Sequence, residues 1–370
     1  MLKETTVTAM IAAEAAASSS SSSSPPEWTI STFSLAEWRK TGDSTRLLEL
    51  CHGVGFFYVT DHGIPSEFFD THFQLVRDFF QLPDSTKALI EERNSRHFRG
   101  WERVGAELTN NRVDYREQVD LSEEHEPYAI DIEPHYLRLD GPNQWLPDEL
   151  LPHFKDGVLD FLHRLRAVAS ELLSAIAVGF GLHSDFFDDL FGERPLNYMK
   201  LIHYPATPEG EAGVNPHKDA GFISLLVQDG MAASGLQALA PDGRWLEVNP
   251  PVGAIAVNIG EILQAMSGNY LIACVHRVVA TQQRFSSAYF HGPDLRTAIV
   301  PIDMPQRLRD AVAASPRHSD AKFMSTRQEL LEGKDSIGSS CAQTYGKQIW
   351  NYLVRSYPDS VRYHYPDHNE

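Results

Sequence analysis

Apolar positions along this chain follow two spacings in succession, helical first and then strand-like. From Trp28 to about residue 190 the repeats are mostly helical, and one helix is predicted over Ser34 to Cys51. Val54-Gly-Phe-Phe-Tyr-Val59 is a short β-rich run closed by the turn-like Asp61-His-Gly-Ile-Pro65. Ser66 is the expected cap of a helix over Glu67 to Phe80, with Phe69, Phe73, Val76 and Phe80 on one face. The strongest helical stripe is Val158, Phe161, Leu162, Leu165, Ala169, Leu172 and Ile176, which predicts a helix from about Phe154 to Val178, ended by Gly179 and Gly181.

After Arg194 the pattern changes to short β-like runs split by Gly, Pro, Asp and Asn. They are Tyr198–Tyr204, Phe222–Gln228, Leu236–Leu239, Trp245–Val248, Ala254–Ile259, Leu271–Val278, Phe285–His291 and Thr297–Pro301. Closely spaced short strands predict a sandwich, barrel or jelly roll. Helical spacing returns over Ala342 to Ser356. The expected layout is mainly β with flanking helices in one domain. Residues 28–190 form a mostly helical region with one core strand, 195–301 the β core and 302–370 a C-terminal helical region. Residues 1–27 are Ala/Ser-rich, cannot bury a core, lack the apolar run of a signal peptide and are expected to be disordered.

Composition narrows the function classes. With 42% hydrophobic and 22% charged residues the chain has the makeup of a soluble globular protein, and no apolar run reaches membrane-spanning length. A net charge of -18 repels phosphate backbones, so nucleic acid is not an expected partner. The three cysteines, Cys51, Cys274 and Cys341, are scattered and form no CxxC pair. A reducing, cytoplasmic setting is expected, with Cys274 a small buried hydrophobe. The sequence carries no reading of oligomeric state.

Candidate chemistry sits in the β-rich half. In Asn215-Pro-His-Lys-Asp-Ala220, residues two apart on a strand share a face, so His217 and Asp219 can converge on one ion. His276, on another predicted strand, is the candidate third ligand. Two imidazoles and a carboxylate leave open positions, which suits non-haem iron(II) binding dioxygen and a cosubstrate. Zinc is the rival metal, although catalytic zinc keeps one open position. Alone, an HxD pair in a chain with 16 histidines is weak evidence, and a single strand histidine is more often structural. Arg284-Phe-Ser286 strengthens it: Arg284 and Ser286 share a strand face and can grip a carboxylate, with Tyr204 as a further donor.

On these residues, from about Trp28 to Pro358, the chain resembles the iron(II)/2-oxoglutarate-dependent dioxygenase superfamily. Within it, the chain is similar to the isopenicillin N synthase-like branch. Gly55-Phe-Phe-Tyr-Val-Thr-Asp-His-Gly-Ile-Pro65 resembles the N-terminal region, and Gly105-Ala-Glu-Leu-Thr109 and Asp114-Tyr-Arg-Glu117 the linker to the core. Met199-Lys-Leu-Ile-His-Tyr-Pro205 matches the strand carrying a cosubstrate-binding tyrosine. Many plant members have Asn-Tyr-Tyr-Pro there, so Ile202 and His203 are departures, while Tyr204 is retained. The resemblance implies a double-stranded β-helix, or jelly-roll, core. It also implies iron(II) on His217, Asp219 and His276, and 2-oxoglutarate held by Tyr204, Arg284 and Ser286. Dioxygen is consumed, succinate and CO2 are released, and ascorbate serves to keep iron reduced. Asp219 disfavours halogenation, since family halogenases lack that carboxylate. Hydroxylation, desaturation or cyclisation of a small molecule remain.

Glu107, Phe222 and Phe290 are candidate substrate contacts; the alternatives are a structural loop carboxylate for Glu107 and plain core for the two phenylalanines. His203 and His291 should point away from the site. Three other readings stand at this level. The first is an iron oxidase of the isopenicillin N synthase type, independent of 2-oxoglutarate. The second is an ethylene-forming variant. The third, from another class, is a non-catalytic ligand-binding jelly roll.

Overall fold

The computed structural model describes residues 27–109, 112–207, 211–230, 235–319 and 344–366. The expectations for the N-terminal tail, for Cys341 and for the start of the last helix lie outside these residues.

Fourteen strands form along the described chain. In order they are β1 (Thr32–Ser34), β2 (Phe56–Thr60), β3 (Gly100–Glu102), β4 (Leu108–Thr109), β5 (Arg112–Val113), β6 (Glu117–Ser122) and β7 (Tyr198–Tyr204). There follow β8 (Val214–His217), β9 (Ile223–Gln228), β10 (Leu236–Leu239), β11 (Trp245–Glu247), β12 (Ile255–Ile259), β13 (His276–Val278) and β14 (Arg284–His291). The large sheet has eight strands in the order β1-β2-β12-β9-β14-β7-β6-β3, and the small one runs β11-β10-β13-β8. β4 and β5 pair as a separate hairpin.

Side-chain alternation divides the interior into two cores. On the large sheet, Phe57, Val59, Met199, Leu201, Val257 and Tyr289 join the core under the helices. Their neighbours Phe56, Tyr58, Ile202, Tyr204, Ala256 and Ala288 join a second core with Val214, Ala238 and Val278 of the small sheet. A strand buried on both faces in this way reads as a continuous apolar run. The second core is the space between the sheets of a jelly roll, and small residues such as Ala238, Ala256 and Ala288 leave room in it. The helix Phe154–Phe180 packs on β9 and β14, and the helix Ser66–Phe80 lies beside it against β7 and β14. Thirteen buried residues along Phe154–Phe180 anchor that layer. No helix among the described residues is long and apolar enough to cross a membrane.

Several local expectations are corrected. The helix expected over Ser34 to Cys51 is two helices, Leu35–Thr41 and Thr45–His52, because Gly42 turns left-handed at φ 68° and ends the first. Ser66 is the first helical residue and Pro65 holds the N-cap position, with no side-chain cap bond. Gly181 ends the long helix at φ 81°, but Gly179 lies inside it, where a Cβ would come within 2.7 Å of Leu48. In the expected strand Leu271–Val278 only His276–Val278 pairs, and Thr297–Pro301 contributes a single bridge, Ala298 to Thr344. The N-terminal region gives the large sheet four strands rather than one: β1, β2, β3 and β6. β6 escapes a hydrophobicity reading because Glu117, Gln118, Asp120 and Ser122 are polar yet buried.

Candidate active site

His217 is the last residue of β8, and Asp219 follows two residues beyond its end rather than on the strand. Convergence nevertheless holds. His217 pairs directly across the small sheet with His276 of β13, their ring centroids 4.3 Å apart. Asp219 Oδ1 lies 3.5 Å from His217 Nε2 and 3.7 Å from His276 Nε2. The turn after Asp219 can press on the end of β12 because both contacting residues are glycines. A Cβ on Gly260 would sit 2.1 Å from the Gly221 carbonyl oxygen.

Each ligand candidate is oriented from behind. His217 Nδ1 lies 2.8 Å from the Asn215 carbonyl and His276 Nδ1 3.1 Å from that of Cys274. A carbonyl can only accept, so each Nδ1 carries a proton and each Nε2 is left facing the centre. Asp219 Oδ2 accepts from Ser224 Oγ and, at 2.7 Å, from Asn258 Nδ2, leaving Oδ1 for the imidazoles. Burial would raise the Asp219 carboxyl, but His276 and His217 hold it below the usual carboxylate range. Burial, reinforced by His217, lowers His276 to about 4, so it is a neutral donor at neutral pH. One atom from each residue meets within 4.8 Å, and no other such group of His, Cys, Asp or Glu occurs among the described residues. Burial would lower His217, but Asp219 beside it raises its pKa. Two imidazoles and one carboxylate oxygen with space beside them fit a divalent transition-metal ion with open positions.

That space is a cavity between the sheets, lined by the triad together with Tyr204, Gln228, Arg284, Ser286 and Arg116. Arg284 faces Tyr204 across β14 and β7, its guanidinium 4.7 Å from the ring centre. Arg284 Nη2 donates to Gln228 at 3.3 Å, while the buried Nη1 has no partner. Burial lowers the pKa of this guanidinium, and no carboxylate pairs with it among the described residues. Ser286 lies on the same face two residues on. Gln228 and Arg116 were not legible as site residues: one ends a strand and the other sits in a polar linker.

A second cavity opens on the other side of His217 and Asp219, lined by Tyr198, Lys200, Phe290, Tyr345, Tyr352 and Leu353 among others. Phe290 borders both cavities. Glu107 borders neither. It is 3% exposed, with Arg116 at 2.5 Å, Lys200 at 3.3 Å and the Tyr352 hydroxyl at 3.3 Å. Burial would raise Glu107, but Arg116 and Lys200 hold it down at about 2. Phe222 is fully buried and packs edge-on against Phe187 and Phe191, on the helix side of the sheet. His203 turns away to Glu117 and stacks on Phe285, and His291 stacks on Phe191. Cys274 is buried and unpaired with another cysteine, as is Cys51.

Two family models match the chain. Residues 30–148 match the N-terminal region of the non-haem dioxygenases in morphine synthesis, and residues 195–293 match the 2OG-Fe(II) oxygenase superfamily. The 2-oxoglutarate-dependent dioxygenase frbJ of Dothideomycetidae sp. (strain 11243) is 34% identical over 284 residues, 73% of this chain and 76% of the relative. A 2-oxoglutarate-dependent dioxygenase of Gibberella zeae is 32% identical over 85% of this chain and 84% of its own. Among solved structures, JOX2 in complex with 2OG, Fe and JA superposes with a TM-score of 0.65 at 22% identity, covering 94% of this chain and 93% of that one. The rice dioxygenase for auxin oxidation gives 0.56 at 26% identity, over 83% and 97%. With the jelly roll and its His-Asp-His cluster, these matches settle the family: the chain belongs to the 2OG-Fe(II) oxygenase superfamily and is an iron(II)- and 2-oxoglutarate-dependent dioxygenase of a small-molecule substrate.

Proposed function

We propose that His217, Asp219 and His276 hold the iron(II), and that Arg284, Ser286 and Tyr204 hold 2-oxoglutarate by the carboxylate remote from the metal. The observation that carries this reading is Arg284, a buried guanidinium that lines the triad's cavity and whose Nη1 has no partner among the described residues. An uncompensated buried cation is destabilising, and a ligand carboxylate relieves it. When bound, the metal and cosubstrate supply the oxidising chemistry, with succinate and CO2 as the cosubstrate's products. The protein's part is positional. Asn258 and Ser224 fix which oxygen Asp219 offers, the two backbone carbonyls fix the imidazole tautomers, and the apolar walls keep bulk water out.

The prime substrate belongs in the second cavity, against Phe290, Tyr198, Tyr345, Tyr352 and Leu353. Those walls favour a small molecule with a largely apolar body. Glu107 serves there as the counter-ion of Lys200 and Arg116 rather than as a substrate contact, and Phe222 as core. A cytoplasmic setting, where thiols stay reduced, suits the buried Cys51 and Cys274. The test is turnover with iron(II) and ascorbate across a panel of small molecules, with succinate and oxidised product measured together. Succinate should form in step with product, and His217→Ala should lose iron(II) in a direct titration. Iron(II) binding unchanged in that variant would overturn the ligand assignment.

A further inference from the structure

Arg116 immediately precedes β6, one position before the Glu117–His203 pair, which sets it beside Tyr204 at the end of β7. Tyr204 in turn faces Arg284 on β14. β7, β14 and the residue preceding β6 thus bring two guanidiniums and a phenol to one cavity, which His217 also lines. Arg116 is 8% exposed, and its position is fixed from two sides. Nη2 lies 2.5 Å from Glu107 and 3.3 Å from Asp114. Asp114 also accepts from the Asn215 amide nitrogen at 3.1 Å, and the Asn215 carbonyl is the group that orients His217. The Nε–H of Arg116, by contrast, is buried and has no partner among the described residues.

Buried guanidinium donors are rarely left unpaired without cause. Glu107 and Asp114 already balance the charge of Arg116, so its free Nε–H offers a directional hydrogen bond more than a bare cation. Ile202, which pairs with Gln118 of β6, lines the same cavity with an apolar side chain.

We infer that Arg116 is a second cosubstrate-binding residue, whose Nε–H donates to the 2-oxo acid end of 2-oxoglutarate while Arg284 holds the distal carboxylate. This rests on the assignment of Arg284 and the triad made above. It gives the ligand a charged donor at each end, and it ties that donor through Glu107 to Lys200 and Tyr352 on the substrate side.

The test uses the full chain loaded with Zn(II), which is redox-inert and diamagnetic, and calorimetric binding of two ligands. 2-Oxoglutarate has both carboxylates, and 2-oxopentanoate lacks the distal one. Arg116→Lys keeps a cation beside Glu107 and Asp114 but loses the Nε–H. Both ligands should weaken by the same factor, about tenfold or more, as expected for one charge-assisted hydrogen bond. Zn(II) affinity should stay unchanged, which a merely structural role acting through Asp114 and Asn215 on His217 would not predict. In the wild-type protein, the Arg116 Nε–H proton resonance, identified by its loss in R116K, should shift when 2-oxoglutarate is added. Unchanged binding of both ligands, weakening of 2-oxoglutarate alone, or a resonance unmoved by the ligand would each overturn the proposal. The underlying reading fails differently: the wild type would bind 2-oxoglutarate no better with Zn(II) than without, or Arg284→Ala would still prefer it over 2-oxopentanoate.

Discussion

Asp219 offers one oxygen to the two imidazoles because the other is occupied by Ser224 and Asn258. Asn258 is the penultimate residue of β12, paired on both sides with β2 and β9, so the carboxylate is aimed by a rigid strand. Asn258→Ala frees that carboxylate to rotate, and iron(II) affinity should fall by ~10–100-fold, the usual effect of losing an outer hydrogen bond to a ligand. Titration of the metal against the folded variant checks this, and unchanged affinity would mean that Ser224 suffices. Arg284→Ala removes a buried charge-assisted contact and should cost ~2–5 kcal/mol of 2-oxoglutarate binding, with metal affinity unchanged. That the proposed metal and clamp residues lie together was legible, because each is a chemically distinctive type at a short, strand-compatible spacing. Arg116, Gln228 and Asn258 were not. Their roles come from strand neighbours far away in sequence, such as Arg284 for Gln228, 56 residues on. Glu107 was half legible: the reading found a carboxylate near the site, but only the fold shows Arg116 and Lys200 neutralising it.

At the level of elements, the sequence signal failed where burial and polarity part company. β7, β9, β12 and β14 carry apolar residues on both faces and were readable as runs. β6 was missed because its inward residues satisfy their polarity with partners from other segments, as Asp120 does with Lys200 and Tyr357. The helix Ser66–Phe80 carries a similar case on its buried face. His72 is 1% exposed, stacks on Phe161 at 4.0 Å, and its Nε2 lies 2.7 Å from Ser287 Oγ on β14. Burial lowers its pKa to about 3. An unfolded histidine takes up a proton near pH 6.5 and this folded one does not, so its contribution is fully present above that pH. It is lost as pH falls from about 6.5 toward 3, amounting to about 2 kcal/mol by pH 5. His72→Phe keeps the stack and removes the titration. The stability of H72F relative to wild type should therefore improve by about 2 kcal/mol between pH 7.5 and pH 5, measured by denaturant unfolding. A difference that does not change with pH would mean that His72 is protonated in place.

Across the whole molecule, the jelly roll separates two tasks that meet at His217 and Asp219. The cavity toward Arg284 is walled mainly by paired strands, with Arg116 and Asp219 just outside them, which suits a cosubstrate of constant shape. The cavity toward Tyr198 and Lys200 is closed instead by Tyr345, Ile349, Tyr352 and Leu353, all from the helix Tyr345–Ser356. That helix docks on the β core through its own apolar face, and Tyr357 at its end hydrogen-bonds Asp120 and Lys200. A wall from one helix can change its side chains without disturbing the sheet register, so substrate choice can vary while the metal and cosubstrate sites stay fixed. Ile349→Ala and Leu353→Ala should accordingly change which molecules couple succinate release to their own oxidation, favouring bulkier ones. Removing a side chain from a pocket wall shifts preference by about 1–3 kcal/mol per methylene-sized difference, or roughly 10–200-fold in kcat/KM. In the same variants the affinity for 2-oxoglutarate on the Zn(II)-loaded protein should be unchanged. If cosubstrate affinity falls together with the change in substrate choice, the two cavities are not independent. The link would then run through Glu107 to Arg116, reached from this helix by Tyr352 and, through Lys200, by Tyr357 at its end.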